Sequence, residues 1–125
     1  MEPIKCYCGS NLSLEICCAK YINGIQKAPT AEALMRSRYT AYVIQNADYL
    51  LETTHPSTRE LFSKEEIANW SRQNKWLHLE VLAATETTVT FKAHFLDQQS
   101  KAQVHFEHSY FKKENDVWLY VDGTY

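Results

Sequence analysis

Thr87-Thr88-Val89-Thr90-Phe91-Lys92-Ala93-His94-Phe95-Leu96 alternates apolar and polar residues almost without a break. In an extended chain successive side chains point to opposite faces, so Val89, Phe91, Ala93 and Phe95 share one side and Thr88, Thr90, Lys92 and His94 the other. One face belongs to a core and the other is wet, as in an antiparallel sheet. Outward from this stretch, residues 76–84, 103–113 and 117–124 are also rich in β-formers and are separated by polar turns. The C-terminal part of the chain is therefore expected to form four antiparallel strands.

Toward the N-terminus the pattern becomes helical. Thr30 suits an N-cap and Glu32 complements the dipole of the first turn, so a helix is expected over 31–45. On a helical wheel Ala31, Met35, Arg38, Tyr39, Tyr42 and Asn46 share one face, which puts Arg38 inside the surface to be buried and Arg36 near its edge. A short helix should follow from 48 to 52 or 53 and end before His55-Pro56, because the residue preceding proline avoids helical angles. Ser63-Lys64-Glu65-Glu66 is a capping-box pattern flanked by Phe62 and Ile67 in the two staple positions, and it starts a third helix to about residue 73. Three helices followed by a sheet of about four strands is an α+β order.

All four cysteines lie in Lys5-Cys6-Tyr7-Cys8-Gly9-Ser10-Asn11-Leu12-Ser13-Leu14-Glu15-Ile16-Cys17-Cys18. Cys6, Cys8, Cys17 and Cys18 are four soft ligands close enough in sequence to surround one Zn2+ ion tetrahedrally. In an extended chain the sulfurs of Cys-x-Cys would stand about 7 Å apart. The chain must turn, and Gly9 can turn it by taking positive φ. Backbone N–H groups of Gly9 and Ser10 could then support the sulfurs. Ser13 reads as the N-cap of a short helix over 14–18, with Lys5 and Lys20 as candidate counter-charges. Four protein ligands leave no place for water, so the zinc role is structural. Disulfides and four free thiols are the competing readings. Bridging Cys6 to Cys8 or Cys17 to Cys18 would strain the chain, and no apolar leader follows Met1-Glu2.

The chain has 125 residues, 45% of them hydrophobic and 13% aromatic, which is one ordinary globular domain's worth of sequence. A net charge of −2 gives no global attraction for nucleic acid, so binding through Lys20, Lys27 and Arg36 is disfavoured. No run approaches transmembrane length, and thiolates kept for a metal suit a reducing cytoplasm. With three glycines in all, glycine-rich phosphate cradles are excluded, and neither a nucleophile elbow nor a dinucleotide motif is present.

The run Cys6-Tyr7-Cys8-Gly9-Ser10…Cys17-Cys18 resembles the SEC-C motif, a small zinc-binding module found at the C-terminus of the SecA translocation ATPase and in many bacterial proteins. Further on, Tyr21, Ala28-Pro29-Thr30-Ala31-Glu32-Ala33-Leu34-Met35-Arg36-Ser37-Arg38-Tyr39, Tyr42, Asp48-Tyr49-Leu50 and Thr54-His55-Pro56-Ser57 are similar to the YchJ-like bacterial family, as is the tail Glu107-x-Ser109-x-Phe111…Trp118-x-Tyr120-Val121-Asp122-Gly123. The resemblance implies a SEC-C motif over 1–20 and a cone-shaped, nuclear-transport-factor-two-like (NTF2-like) domain over 21–125, in a family without an agreed activity. Some members carry a second SEC-C motif after this point; none is expected before Tyr125.

The resemblance also implies a pocket between helices and bent sheet. Its candidate lining residues are Arg38, Tyr39, Tyr42, His55, Trp76, Glu107, Ser109, Tyr120 and Asp122. Glu107, Ser109 and Phe111 share one strand face, and Trp118, Tyr120 and Asp122 share another. An Arg38–Glu107 pair is expected, either as a structural tie or for ligand recognition. His55 is either a general base or a local hydrogen-bonding residue, and His78, His94, His105 and His108 read as strand-surface residues. The expected function is a zinc-binding module that docks a protein or ribosomal partner or holds a small ligand. The alternative is an isomerase, dehydratase or hydrolase using acid–base residues in the pocket. The face bearing Thr88, Thr90, Lys92 and His94 is either a homodimer surface or an ordinary wet face.

Overall fold

A computed structural model describes residues 4–124, so Met1, Glu2, Pro3 and Tyr125, at the two ends of the expected domains, lie outside it. The elements are a 3-10 turn Leu14–Ile16, helices α1 (Cys18–Ile22), α2 (Ala31–Val43), α3 (Ala47–Glu52), α4 (Pro56–Arg59) and α5 (Lys64–Gln73), then strands β1 (Lys75–Ala84), β2 (Thr88–Leu96), β3 (Ala102–Glu114) and β4 (Val117–Thr124). The strands form one antiparallel meander in the order β1-β2-β3-β4. The α+β architecture is the one the residue patterns call for.

Local chemistry sets the helix limits. Thr30 Oγ1 accepts from Ala33 N at 3.0 Å and starts α2. The helix stops two residues short of the expected 45 because Gln45 takes a φ of 62°, a left-handed conformation that ends the ladder. Asn46 caps α3 by accepting from Tyr49 N at 3.0 Å, and Ser63 caps α5 by accepting from Glu66 N at 3.3 Å. The chain does break at His55-Pro56, but it restarts there as the one-turn α4, with Pro56 in the first helical position.

The N-terminal region differs more from expectation. Ser13 is extended and makes no side-chain cap; the 3-10 turn that follows it ends at Cys17, whose angles (φ −118°, ψ −115°) fit no helix. Helix α1 then starts at Cys18 and runs through Lys20 and Tyr21, across the expected domain boundary. Cys6, Cys8 and Cys18 belong to the same buried cluster as Leu34, Leu50, Phe91 and Trp118, so motif and body share one core.

The sheet bends at register shifts between Trp76 and His78, Val81 and Ala83, and Tyr110 and Phe111. On β2 the alternation holds: Val89, Phe91, Ala93 and Phe95 are buried and the residues between them are half-buried. Strand β3 inverts the usual pattern. Its inward residues include Glu107 and Ser109, while Val104, Phe106 and Tyr110 face out at 52%, 44% and 41% exposure. Tyr120 N donates to Thr53 O and His55 N to Tyr120 O, each at 2.7 Å, fastening the end of α3 to β4.

Candidate functional site

The first site is the cysteine cluster. A hairpin-like bridge pairs Lys5 with Ser13, and Cys6 N donates to Leu12 O at 2.8 Å, which folds the two halves of the motif together. Gly9 turns the chain at a φ of 85°. All four sulfurs lie within 4.8 Å of one another. Cys8 and Cys17 sulfurs are 3.6 Å apart and those of Cys17 and Cys18 4.0 Å apart. Zinc–sulfur bonds of about 2.3 Å in a tetrahedron require sulfur separations of about 3.8 Å, so the cluster fits a dication. A disulfide needs about 2.05 Å, and all four cysteines are free.

The surroundings favour thiolate at Cys6 and oppose it at Cys17 and Cys18. Hydrogen bonds from the Cys18 and Cys8 thiols, helped by the backbone N–H groups of both residues, hold Cys6 far below the ordinary thiol range. The same Cys6–Cys18 contact drives Cys18 far up, because closely spaced thiols cannot all ionise without a cation among them. Ser10 supports Cys17 through its hydroxyl, 3.1 Å from the sulfur, while the Gly9 N–H goes to Cys6 O instead. Lys20 lies over the Tyr21 ring and Lys5 is exposed. The cation that reaches the motif is Arg36, whose Nη1 donates to Cys8 O at 2.7 Å while Nε bonds Glu32. Desolvation lowers the Arg36 pKa, but Glu32 and Cys8 outweigh it and raise it overall.

The second site is a cavity of about 240 Å³ between α2, α5 and the inner face of the sheet. Of the expected pocket residues, Arg38, Tyr39, Tyr42, Trp76, Glu107, Ser109 and Tyr120 line it. Asp122 does not. The register shift opposite Phe111 pairs Tyr110 with Asp122 and Ser109 with Gly123, so Asp122 turns outward and Gly123 takes the inward place. His55 is also outside the lining. Its Nδ1 accepts from Ser57 N at 3.0 Å as the cap of α4, and Nε2 bonds Glu114 at 2.9 Å, so both ring nitrogens are committed.

Glu107 and Arg38 make no ion pair with each other. Glu107 Oε1 receives His105 Nε2 at 2.9 Å, and Oε2 receives the Tyr120 hydroxyl at 2.9 Å together with the Ser109 hydroxyl. Burial pushes this carboxyl up, but donation from His105, Ser109 and Tyr120 prevails and holds it below its ordinary value. Arg38 lies with its guanidinium carbon 4.4 Å from the centre of the Tyr120 ring, and its Nη1 donates to Leu50 O and Thr53 Oγ1 at 2.8 and 2.7 Å. Tyr120 thus links the two charges, ring against one and hydroxyl on the other. Reading His105 as a surface residue was wrong; it lines the cavity two residues from Glu107. Strand alternation already places both on one face. Trp70 and Phe62 complete an aromatic wall with Trp76, the two indoles meeting edge-on at 5.8 Å.

Among the described residues no helix is long and apolar enough to cross a membrane. Residues 30–123 match the family described as "YchJ, middle NTF2-like domain". A UPF0225 protein of Enterobacter sp. (strain 638) is 39% identical over 95% of this chain and 82% of its own length. The UPF0225 protein YchJ of Shigella dysenteriae serotype 1 (strain Sd197) is 40% identical over the same shares. Among solved structures, a SEC-C motif containing protein from Rhodopseudomonas palustris superposes with a TM-score of 0.89 at 35% identity, covering 97% of this chain and 98% of that one. A second such protein, from Psychrobacter arcticus, gives 0.77 at 27% identity, covering 98% and 81%.

Proposed function

The chain belongs to the YchJ (UPF0225) family, and from that premise we propose that it is a cytoplasmic, zinc-stapled module whose NTF2-like body, residues 21–125, binds a small molecule in its cavity. Zn2+ would sit among Cys6, Cys8, Cys17 and Cys18, ordering the motif around them without taking part in a reaction, because four protein sulfurs saturate a tetrahedral ion. The observation that carries the ligand reading is the cavity itself: a preformed hollow with aromatic walls and a few convergent polar groups. Acid–base catalysis is the weaker reading. Glu107 receives three donors that hold it ionised, His55 has both nitrogens engaged, and Asp122 points away.

An NMR screen of small aromatic fragments tests the proposal. The indole N–H signals of Trp70 and Trp76 should shift together with amides of α2 and β3. Hits confined to the outer face of the sheet would refute it.

Surface contacts have support of their own. Ile4, Leu12 and Ile16 project from the cysteine motif at 62%, 48% and 58% exposure, which suits docking of a protein or ribosomal partner. A partner captured by the native protein should be lost with Cys17→Ser; equal capture by both would remove the motif from the contact. The outward Val104 and Phe106 of β3 suit a homodimer in the same way.

A further inference from the structure

We infer that the cavity takes a small organic carboxylate with an apolar, ring-sized body, and that Arg38 is the residue that binds its anionic end. The inference rests on the ligand-binding reading above and adds the chemistry of the occupant. Arg38 is a cation on the buried side of α2, yet among the described residues no carboxylate lies within ion-pair distance of it. Its protein hydrogen bonds all leave from Nη1 and go to neutral acceptors, Leu50 O, Thr53 Oγ1 and, at 3.4 Å, Thr54 Oγ1. Nε and Nη2, the side of the guanidinium that offers two parallel donors, carry no hydrogen bond to a described residue. Nor are they sealed in, since no fully buried side-chain nitrogen or oxygen among the described residues lacks a partner.

Glu107 does not supply the missing anion. It acts on Arg38 through charge at a distance but makes no ion pair with it, and its oxygens receive His105, Ser109 and Tyr120 instead. The cavity therefore combines an anion held by three other donors with a cation that keeps a two-pronged donor edge available, and a carboxylate is the group whose geometry matches that edge. The rest of the lining sets the body of the ligand. Trp70, Trp76, Phe62 and Phe91 present ring faces and edges, and a volume of about 240 Å³ falls below the roughly 300–1,000 Å³ of sites for drug-sized molecules. One ring and a short acidic arm fit a hollow of this size.

Titration with benzoate and phenylacetate against their neutral counterparts benzamide and benzyl alcohol, followed by tryptophan fluorescence at pH 7, tests this. The acids should bind about tenfold or more tightly than the neutral compounds, as expected for hydrogen bonds to a charged group. Arg38→Met should reduce the acids to the level of the neutral compounds while leaving those unchanged, which also shows that the variant has kept its cavity. Arg38→Lys, with the charge but not the fork, should fall between. Neutral compounds binding as well as acids, or acids binding Arg38→Met undiminished, would overturn the carboxylate assignment and leave a ligand cavity standing. Binding of neither class would overturn the cavity reading as well.

Discussion

Replacing Cys18 with serine is expected to release the metal and cost about 4–5 kcal/mol or more of stability, the range in which loss of a metal or disulfide falls. For a chain of this length that lowers the melting temperature by on the order of 15 °C. Cys18 is 1% exposed and opens α1, so its sulfur would complete the ligand shell at the point where the helix begins. The damage does not stop at the motif. The Cys6 sulfur lies 3.7 Å from Thr40 Oγ1 on α2, and three of the four cysteines belong to the body's core cluster. Chelation of the native protein should reproduce the variant's melting curve, because ligand binding to a folded site is stabilisation of the fold. A Cys18→Ser protein that melts where the parent does would mean the cysteines hold nothing.

The second large effect is expected at Glu107. Glu107→Ala removes the acceptor that the Ser109 and Tyr120 hydroxyls and His105 Nε2 share, and of these three Ser109 is the most deeply buried, at 2% exposure. The Ser109 hydroxyl left unsatisfied accounts for about 1–3 kcal/mol, a loss that urea denaturation should show. Gly123→Ala should also destabilise, because a Cβ there would come within 2.6 Å of Glu107 Cδ and 2.8 Å of Cγ; overpacking of this kind costs about 1–3 kcal/mol. The double variant separates clash from strain. With Glu107 trimmed, the added methyl has room, so the two changes together should cost clearly less than their sum. Strict additivity would show that Gly123 matters for some other reason.

Glu107 also sets a pH dependence. Its folded-state pKa lies below its ordinary value of 4.5, so its contribution is complete above that pH. As acid is added the unfolded state takes up the proton first, and the contribution fades until pH passes the depressed folded pKa. Glu107→Gln should flatten that part of the curve below pH 4.5, and an unchanged slope would contradict the assignment.

How much of this was legible depends on whether one strand or helix alone decides the outcome. The alternation of Val89, Phe91, Ala93 and Phe95 stands because β2 pairs with β3 without a break and the two register shifts in its pairing with β1 lie on the β1 side. The helix starts at Thr30 and Ser63 stand because a cap is a local bond between a side chain and an amide three residues on. The cysteine spacing was equally local, and the sulfurs do converge. Asp122 was misplaced because the register shift that turns it outward arises in pairing with β3, which nothing in β4 announces. Strand β3 hid His105 for a different reason. Its outward residues Val104 and Phe106 are more apolar than the inward His105, Glu107 and Ser109, so hydropathy points the wrong way wherever a polar cavity replaces core. The expected Arg38–Glu107 pair overlooked the Tyr120 hydroxyl, and His55, read as either a general base or a local hydrogen-bonding residue, caps α4 and bonds Glu114.

X-ray absorption at the zinc edge of natively purified protein tests the central claim most directly. One zinc per chain surrounded by four sulfurs at about 2.3 Å, with neither nitrogen nor oxygen in the shell, is the predicted result. Protein that holds no metal after anaerobic preparation with zinc, or a shell with fewer than four sulfurs, would contradict it.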